Sequence, residues 1–220
     1  LLIEKPIRVS NLDKLKANYA MSGYVLKHSF FWKRLQAEIC HDQIRSVEIN
    51  LETNQVFDGK KEVWRSQNST PEVDFLYEFG SHCIDLLYSF YKPDKLVISS
   101  VKTGQIKIVD QNNPLLNINL LSSSPRVRKS VYTLKIKTES TKIFTDFYSY
   151  RVYNCSDELL LDETLASIGV APRAYLRGYE FSEQMQYFLG TKCDEHYSAL
   201  SGSLVDEVLN QLGEEITCQK

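Results

Sequence analysis

Leu116-Asn117-Ile118-Asn119-Leu120 and Tyr132-Thr133-Leu134-Lys135-Ile136-Lys137 decide the fold of this 220-residue chain. Apolar and polar side chains alternate in both, the period-two pattern of a strand covered on one face only. Working outward, Ile44 to Glu52 alternates in the same way, with Val47, Ile49 and Leu51 set against Glu48, Asn50 and Glu52. Lys95 to Val101 reads as a strand, and Gln105 to Val109 continues it after Gly104. Ile143 to Tyr153 reads as one more, with Phe144, Tyr148 and Tyr150 on one side and Ile143, Thr145, Phe147 and Ser149 on the other. These strands follow one another without helices between them, which predicts an antiparallel meander rather than βαβ units. One sheet face packs on helices. The other carries Tyr, Thr, Asn and Lys, and is either solvated or an interface between subunits, since tyrosine suits surfaces that are apolar and hydrogen-bonding together.

The helices are read from the 3.6-residue period. Phe75, Phe79, Cys83, Leu86, Leu87 and Phe90 recur at that spacing, so Asp74 to Tyr91 is one amphipathic helix. Ser29 to His41 is another, with Phe31, Leu35 and Ile39 inward and Lys33, Arg34 and Glu38 on the wetter side. Ser10 reads as the N-cap of a helix running to Ser22, with Tyr24-Val25-Leu26 a short strand after it. Near the carboxyl end, Tyr175 to Leu189 and Ser201 to Leu212 read as helices, the second packing through Leu200, Leu204, Val208 and Leu212. Thr53 to Pro71 is polar and turn-rich, and is expected to form a loop over the functional site. The fold class is α+β, a mostly antiparallel sheet with helices packed on one face.

Two segments carry chemistry. Leu1-Leu2-Ile3 is an apolar run that Pro6 must end, because proline has no N–H to give a sheet ladder. That puts Lys5 at the carboxyl edge of a strand, where open α/β sheets bind their ligands. In the second segment Glu78 and His82 lie four residues apart on the predicted helix and share a face. A carboxylate so placed can hold an imidazole and stabilise its protonated form, as a proton shuttle near neutral pH requires. The same spacing also describes an ordinary surface pair worth a few tenths of a kcal/mol. Gly80 between them costs about 1 kcal/mol against alanine in a helix, so it points to a close approach by a ligand or by backbone. Cys83 points about 100° away from His82 on such a helix and belongs to the core.

Glu4-Lys5-Pro6 and Glu78-x-Gly80-x-His82-x-x-Asp85, in this order and with Gly23-Tyr24-Val25-Leu26-Lys27-His28 and Trp64-Arg65 between them, resemble the motifs of the Gfo/Idh/MocA oxidoreductases. That family has E-K-P, G-[FYH]-x-x-R-[FH], W-R and D-x-G-x-H-x-x-D in the corresponding places. The resemblance is good over about the first 105 residues. It implies a nicotinamide-dependent enzyme acting on a sugar, cyclitol or nucleotide sugar. Within it, Lys5, His82 and Glu78 are catalytic, Lys27, Trp64, Arg65 and Asp85 bind substrate, and Glu4, Lys5 and Pro6 meet the cofactor. No metal is implied. Arg65 reads equally as a clamp for a substrate hydroxyl or carboxylate and as a solvated loop cation.

The chain departs from the family pattern in three places. Glu78 replaces an aspartate. Lys27 replaces an arginine, keeping the charge but not the two-pronged fork. Ser69-Thr70-Pro71-Glu72-Val73-Asp74 stands where a run of glycines is common, which suggests an altered substrate pocket.

Family members also begin with a domain whose first strand leads into G-x-G-x-x-G, and no such run occurs here. The expectation is therefore the carboxyl-terminal portion of a longer protein. Residues 1–28 would be a remnant of an α/β dinucleotide-binding domain and 29–220 a substrate-binding and oligomerisation domain. The parent would use NAD or NADP, while this portion alone binds none and is inactive. The resemblance also implies a dimer or tetramer joined through the open sheet face. A non-catalytic module of the same fold, binding a sugar or a protein, is the alternative.

Composition narrows the partners. A net charge of −2 without a basic stripe argues against nucleic acid. Nothing approaches the ~18 apolar residues of a membrane span. Cys40, Cys83, Cys155, Cys193 and Cys218 are odd in number and scattered, which reads as reduced thiols in a cytoplasm rather than a disulfide frame or a zinc site.

Overall fold

The computed structural model describes residues 2–3, 21–22, 25–39, 44–55, 70–122, 124, 130–170, 180–189 and 199–218. Two short strands, β1 (Leu2–Ile3) and β2 (Met21–Ser22), pair in parallel, Leu2 opposite Met21 and Ile3 opposite Ser22. The helix expected from Ser10 falls largely outside the described residues, and its last two expected positions are strand. Of the strand expected at Tyr24-Val25-Leu26, the described residues Val25 and Leu26 lie instead in a 3₁₀ turn, Val25–His28. A three-residue apolar run has too little periodicity to separate strand from turn.

The turn leads into α1 (Phe30–Ile39), where the Ser29 hydroxyl accepts the Trp32 N–H at 3.2 Å as an N-cap. Next come β3 (Ser46–Glu52), α2 (Pro71–Phe75), a π turn (Leu76–Gly80) and α3 (Ser81–Tyr88). The strands β4 (Leu96–Lys102), β5 (Gln105–Asp110), β6 (Leu116–Leu121) and β7 (Val131–Lys137) then follow. After these lie β8 (Thr141–Thr145), β9 (Ser149–Asn154), β10 (Leu159–Thr164), α4 (Glu180–Leu189) and α5 (Ala199–Cys218).

Strands β3 to β10 form one eight-stranded sheet in the order β10-β9-β8-β7-β3-β6-β5-β4. The hairpins are antiparallel, as the meander reading expects. The sheet as a whole is mixed. Thr53, just past the end of β3, donates its N–H to Leu121 at the end of β6 at 2.9 Å, so these two neighbours finish together and run the same way. Parallel neighbours need a long connection between them, and here it contains α2, α3, β4 and β5. By Cα proximity the chain divides into two compact units, Leu1–Val47 with Thr133–Ser203, and Glu48–Tyr132 with Leu204–Lys220.

In the first unit the alternation of β7 holds, Leu134 and Ile136 buried and Lys135 and Lys137 exposed. The run from Ile143 to Tyr153 is two strands rather than one. A turn at residues 146–148 breaks it, with Phe147 at φ 67° and its N–H held by the Thr145 hydroxyl at 3.0 Å. The break resets the alternation, so Tyr150 lies opposite Thr145 and joins it in the interior instead of sharing a face with Phe144 and Tyr148. Tyr150 stacks on Phe31 of α1 with ring centroids 5.8 Å apart. Its hydroxyl donates to Glu38, and Arg34 lies over its ring while bonding both Glu38 and Glu163. The α1 face expected to be wet is thus partly an ion and hydrogen-bond network reaching β9 and β10.

In the second unit Ile49, Leu51, Ile106, Ile108, Ile118 and Leu120 are buried on one sheet face. The other face carries a side-chain ladder in which Asn119 donates to Asn50 at 2.8 Å and to Asn117 at 2.9 Å. Helix α5 runs longer than expected and buries Val205, Leu209, Leu212 and Ile216. The row anticipated through Leu204 and Val208 is turned away, Leu204 being 41% exposed. At the sheet edge Glu215 of α5 accepts the Ile98 N–H at 2.8 Å and Gln211 donates to the Leu96 carbonyl at 3.3 Å. Those groups of β4 would otherwise be open to pairing with another strand.

Candidate functional site

The segment Pro71–Tyr88 carries the candidate site, and each part of it has a local cause. Thr70 caps the start, its hydroxyl accepting the Val73 N–H at 3.4 Å, with Pro71 in the first turn. Glu72 and Asp74 lie in that same turn, where the helix dipole favours negative charge. The apolar row through Phe75, Phe79 and Cys83 then buries one side.

The helix is interrupted between the two candidate residues. Leu76–Gly80 is a π turn, in which the Ser81 N–H reaches back to the Leu76 carbonyl. The step from Glu78 to His82 thus crosses a wider turn than the α-helical one on which the face-sharing argument rests, and both side chains are half-buried. π turns of this kind concentrate at functional sites.

Gly80 is explained by packing. A Cβ there would lie 2.8 Å from Leu76 Cδ1 and 3.0 Å from Leu120 Cδ1 of β6. The close approach inferred from the sequence exists, and it is made by leucine side chains. On another side Gly213 of α5 admits Tyr77, a Cβ there lying 3.4 Å from Tyr77 Cε2, and the Tyr77 hydroxyl donates to Asn210. The π turn is thereby clamped between β6 and α5.

His82 lies in the first turn of α3, with its ring edge-to-face against Tyr132 of β7, centroids 6.0 Å apart and planes at 77°. Asp85 is deeper, 2% exposed. Cys83 is buried, and burial pushes its thiol pKa up, so it is a packed thiol rather than a nucleophile. The end of the sheet that carries Tyr132 also gathers hydroxyls. Ser130 donates to the Thr53 hydroxyl at 2.9 Å, and Ser124 donates to Glu52 at 3.1 Å.

Lys27 belongs to the other unit, in the 3₁₀ turn, and is 2% exposed. Its neighbour His28 is 1% exposed; burial, helped by the positive charges of Lys33 and Lys27, brings its imidazole pKa down to about 3. Glu4, Lys5, Pro6, Trp64 and Arg65 lie outside the described residues. Tyr132 was not singled out from the sequence. Its alternation with Leu134 and Ile136 places it on the covered face, but that pattern does not reveal which helix meets it. Among the described residues no group of His, Cys, Asp and Glu could hold a metal ion, and no helix is long and apolar enough to cross a membrane.

No family model and no curated protein sequence matches the chain. Solved structures do match its fold. UDP-N-acetylglucosamine 3-dehydrogenase GnnA from Acidithiobacillus ferrooxidans superposes with a TM-score of 0.64 at 15% identity, over 97% of this chain and 69% of that one. A protein described as an NADPH-dependent oxidoreductase, from Desulfitobacterium hafniense, gives 0.68 at 12% identity, over 100% and 71%. Levoglucosan dehydrogenase in complex with NADH and levoglucosan gives 0.64 at 14% identity, over 91% and 64%. At such identities the likeness establishes a shared α+β fold.

Proposed function

We propose that this chain is the substrate-binding and oligomerisation portion of a nicotinamide-dependent oxidoreductase of the Gfo/Idh/MocA kind, acting on a sugar, cyclitol or nucleotide sugar. The observation that carries the reading is His82, held on a clamped helix within E-x-G-x-H-x-x-D, in a fold shared with dehydrogenases of sugar-like substrates. In this reading residues 1–28 belong with a dinucleotide-binding domain and 29–220 form the substrate domain.

The chain contains no G-x-G-x-x-G turn, so its residues do not by themselves fit the pyrophosphate of a dinucleotide. The part assigned to them is the proton. His82 takes the proton of the substrate hydroxyl as a carbinol is oxidised and returns it on reduction. Glu78 holds the imidazole; by the resemblance of the motifs, Lys5 would orient a substrate hydroxyl and Lys27, Trp64, Arg65 and Asp85 would serve substrate binding. Thiols unpaired in Cys83, Cys155 and Cys218 support a cytoplasmic location.

The test is His82→Ala in the intact enzyme, with circular dichroism to verify the fold. Turnover should fall at least ~10²-fold, the usual scale for a lost general acid-base. Unchanged turnover removes His82 from the mechanism and favours a binding module of the same fold.

A further inference from the structure

We propose that Tyr132 is a positioning residue for His82, fixing the plane of the imidazole that exchanges the substrate proton; the inference rests on the acid-base role proposed for His82. Strand β7 presents Tyr132, Leu134 and Ile136 to the helix-covered side, and the first of these, at the end of the row, meets the first turn of α3. The two rings meet edge-to-face at 6.0 Å and 77°, an arrangement aromatic quadrupoles favour.

The backbone under His82 is already fixed. Gly80 is wedged against Leu76 and Leu120, and Tyr77 is tied to Asn210 and Gly213. The imidazole can still turn about its own side-chain bonds, because terminal ring torsions are broad and weakly restrained by themselves, so Tyr132 adds its restraint to the one proposed for Glu78. A proton donor works only when one ring nitrogen is aimed at the reacting oxygen, so the Tyr132 ring, packed against the imidazole at 77°, limits the misdirected rotations. The tyrosine ring is the part that acts. Its hydroxyl is not required by this argument, which separates the proposal from a role for Tyr132 as a second acid.

The experiment compares Tyr132→Phe and Tyr132→Leu with the parent. In the 220-residue chain labelled with 13C in its histidine rings, there are four histidine signals to follow, and His82→Gln assigns one of them. The parent and Tyr132→Phe should show the His82 ring signal displaced by the aromatic ring current, and Tyr132→Leu should return it to the position of an unstacked imidazole. In the intact enzyme Tyr132→Leu should lower kcat by about ten- to a hundredfold, the scale of a displaced catalytic group, with little change in KM, and Tyr132→Phe should restore most of it.

A His82 signal indifferent to Tyr132→Leu, or a loss confined to KM, overturns the proposal. Should Tyr132→Leu not fold, cross-relaxation between the His82 and Tyr132 rings in the parent decides the contact, and its absence overturns the proposal equally. If His82→Ala itself leaves turnover unchanged, the functional reading fails separately, whatever the ring-current result.

Discussion

Gly80 shows how a single residue's cost and its reason are separated. A glycine within a helix gives up about 1 kcal/mol against alanine, so Gly80→Ala would stabilise an open helix. Here the new methyl would meet Leu76 and Leu120 at 3.0 Å or less inside a packed core, and overpacking costs about 1–3 kcal/mol. The clash should win. Gly80→Ala is expected to lower unfolding stability by about 1 kcal/mol in denaturant titration, and a more stable variant would show that the leucines yield freely. His28 sets a second expectation. Folded, its imidazole stays neutral down to about 3; unfolded, it takes a proton near 6.5. Between those values the unfolded chain binds the extra proton, so the stability tied to neutral His28 is complete above the upper value and is lost as pH falls. His28→Phe should therefore flatten the decline of the unfolding midpoint between about pH 7 and pH 4 relative to the parent. Equal slopes would mean that His28 is not held neutral.

At the scale of elements, the β8–β9 hairpin carries the clearest conflict between local and tertiary demands. Phe147 adopts φ 67°, a conformation that costs a bulky residue roughly 1–2 kcal/mol, yet its side chain is 5% exposed. Truncating a buried phenylalanine costs about 3–5 kcal/mol, more than the backbone relief a glycine would bring. Phe147→Gly should thus destabilise by about 2 kcal/mol, measurable as a lower denaturant midpoint; a gain would mean that the backbone term dominates. The same hairpin is where the alternation from Ile143 to Tyr153 misleads. A turn of three residues between β8 and β9 turns Tyr150 inward, and only the stacking on Phe31 and the bond to Glu38 reveal it.

For the whole molecule, the open sheet face is the surface through which we expect association. In the second unit it carries Asn50, Asn117 and Asn119 in a bonded row, a polar face that is regular and only half-buried. Sedimentation equilibrium of the chain should give a dimer or tetramer. Asn119→Arg, which sets a charge in the middle of that row, should shift it toward the monomer, because an unpaired charge cannot be buried between two copies. A monomeric parent would remove the expectation altogether.

The sequence by itself determined the half-covered strands, the helix carrying Glu78 and His82, the place of Cys83 in the core and the need for a close neighbour at Gly80. All of these follow from periodicity or from the steric identity of one residue, which are local properties. Tertiary structure alone decided that β3 and β6 run in parallel, that the α5 row facing the core is Val205, Leu209, Leu212 and Ile216, that a π turn separates Glu78 from His82, and that Tyr132 is the ring His82 meets. Those outcomes depend on which distant surfaces come into contact, and spacing along one segment carries no record of its partner.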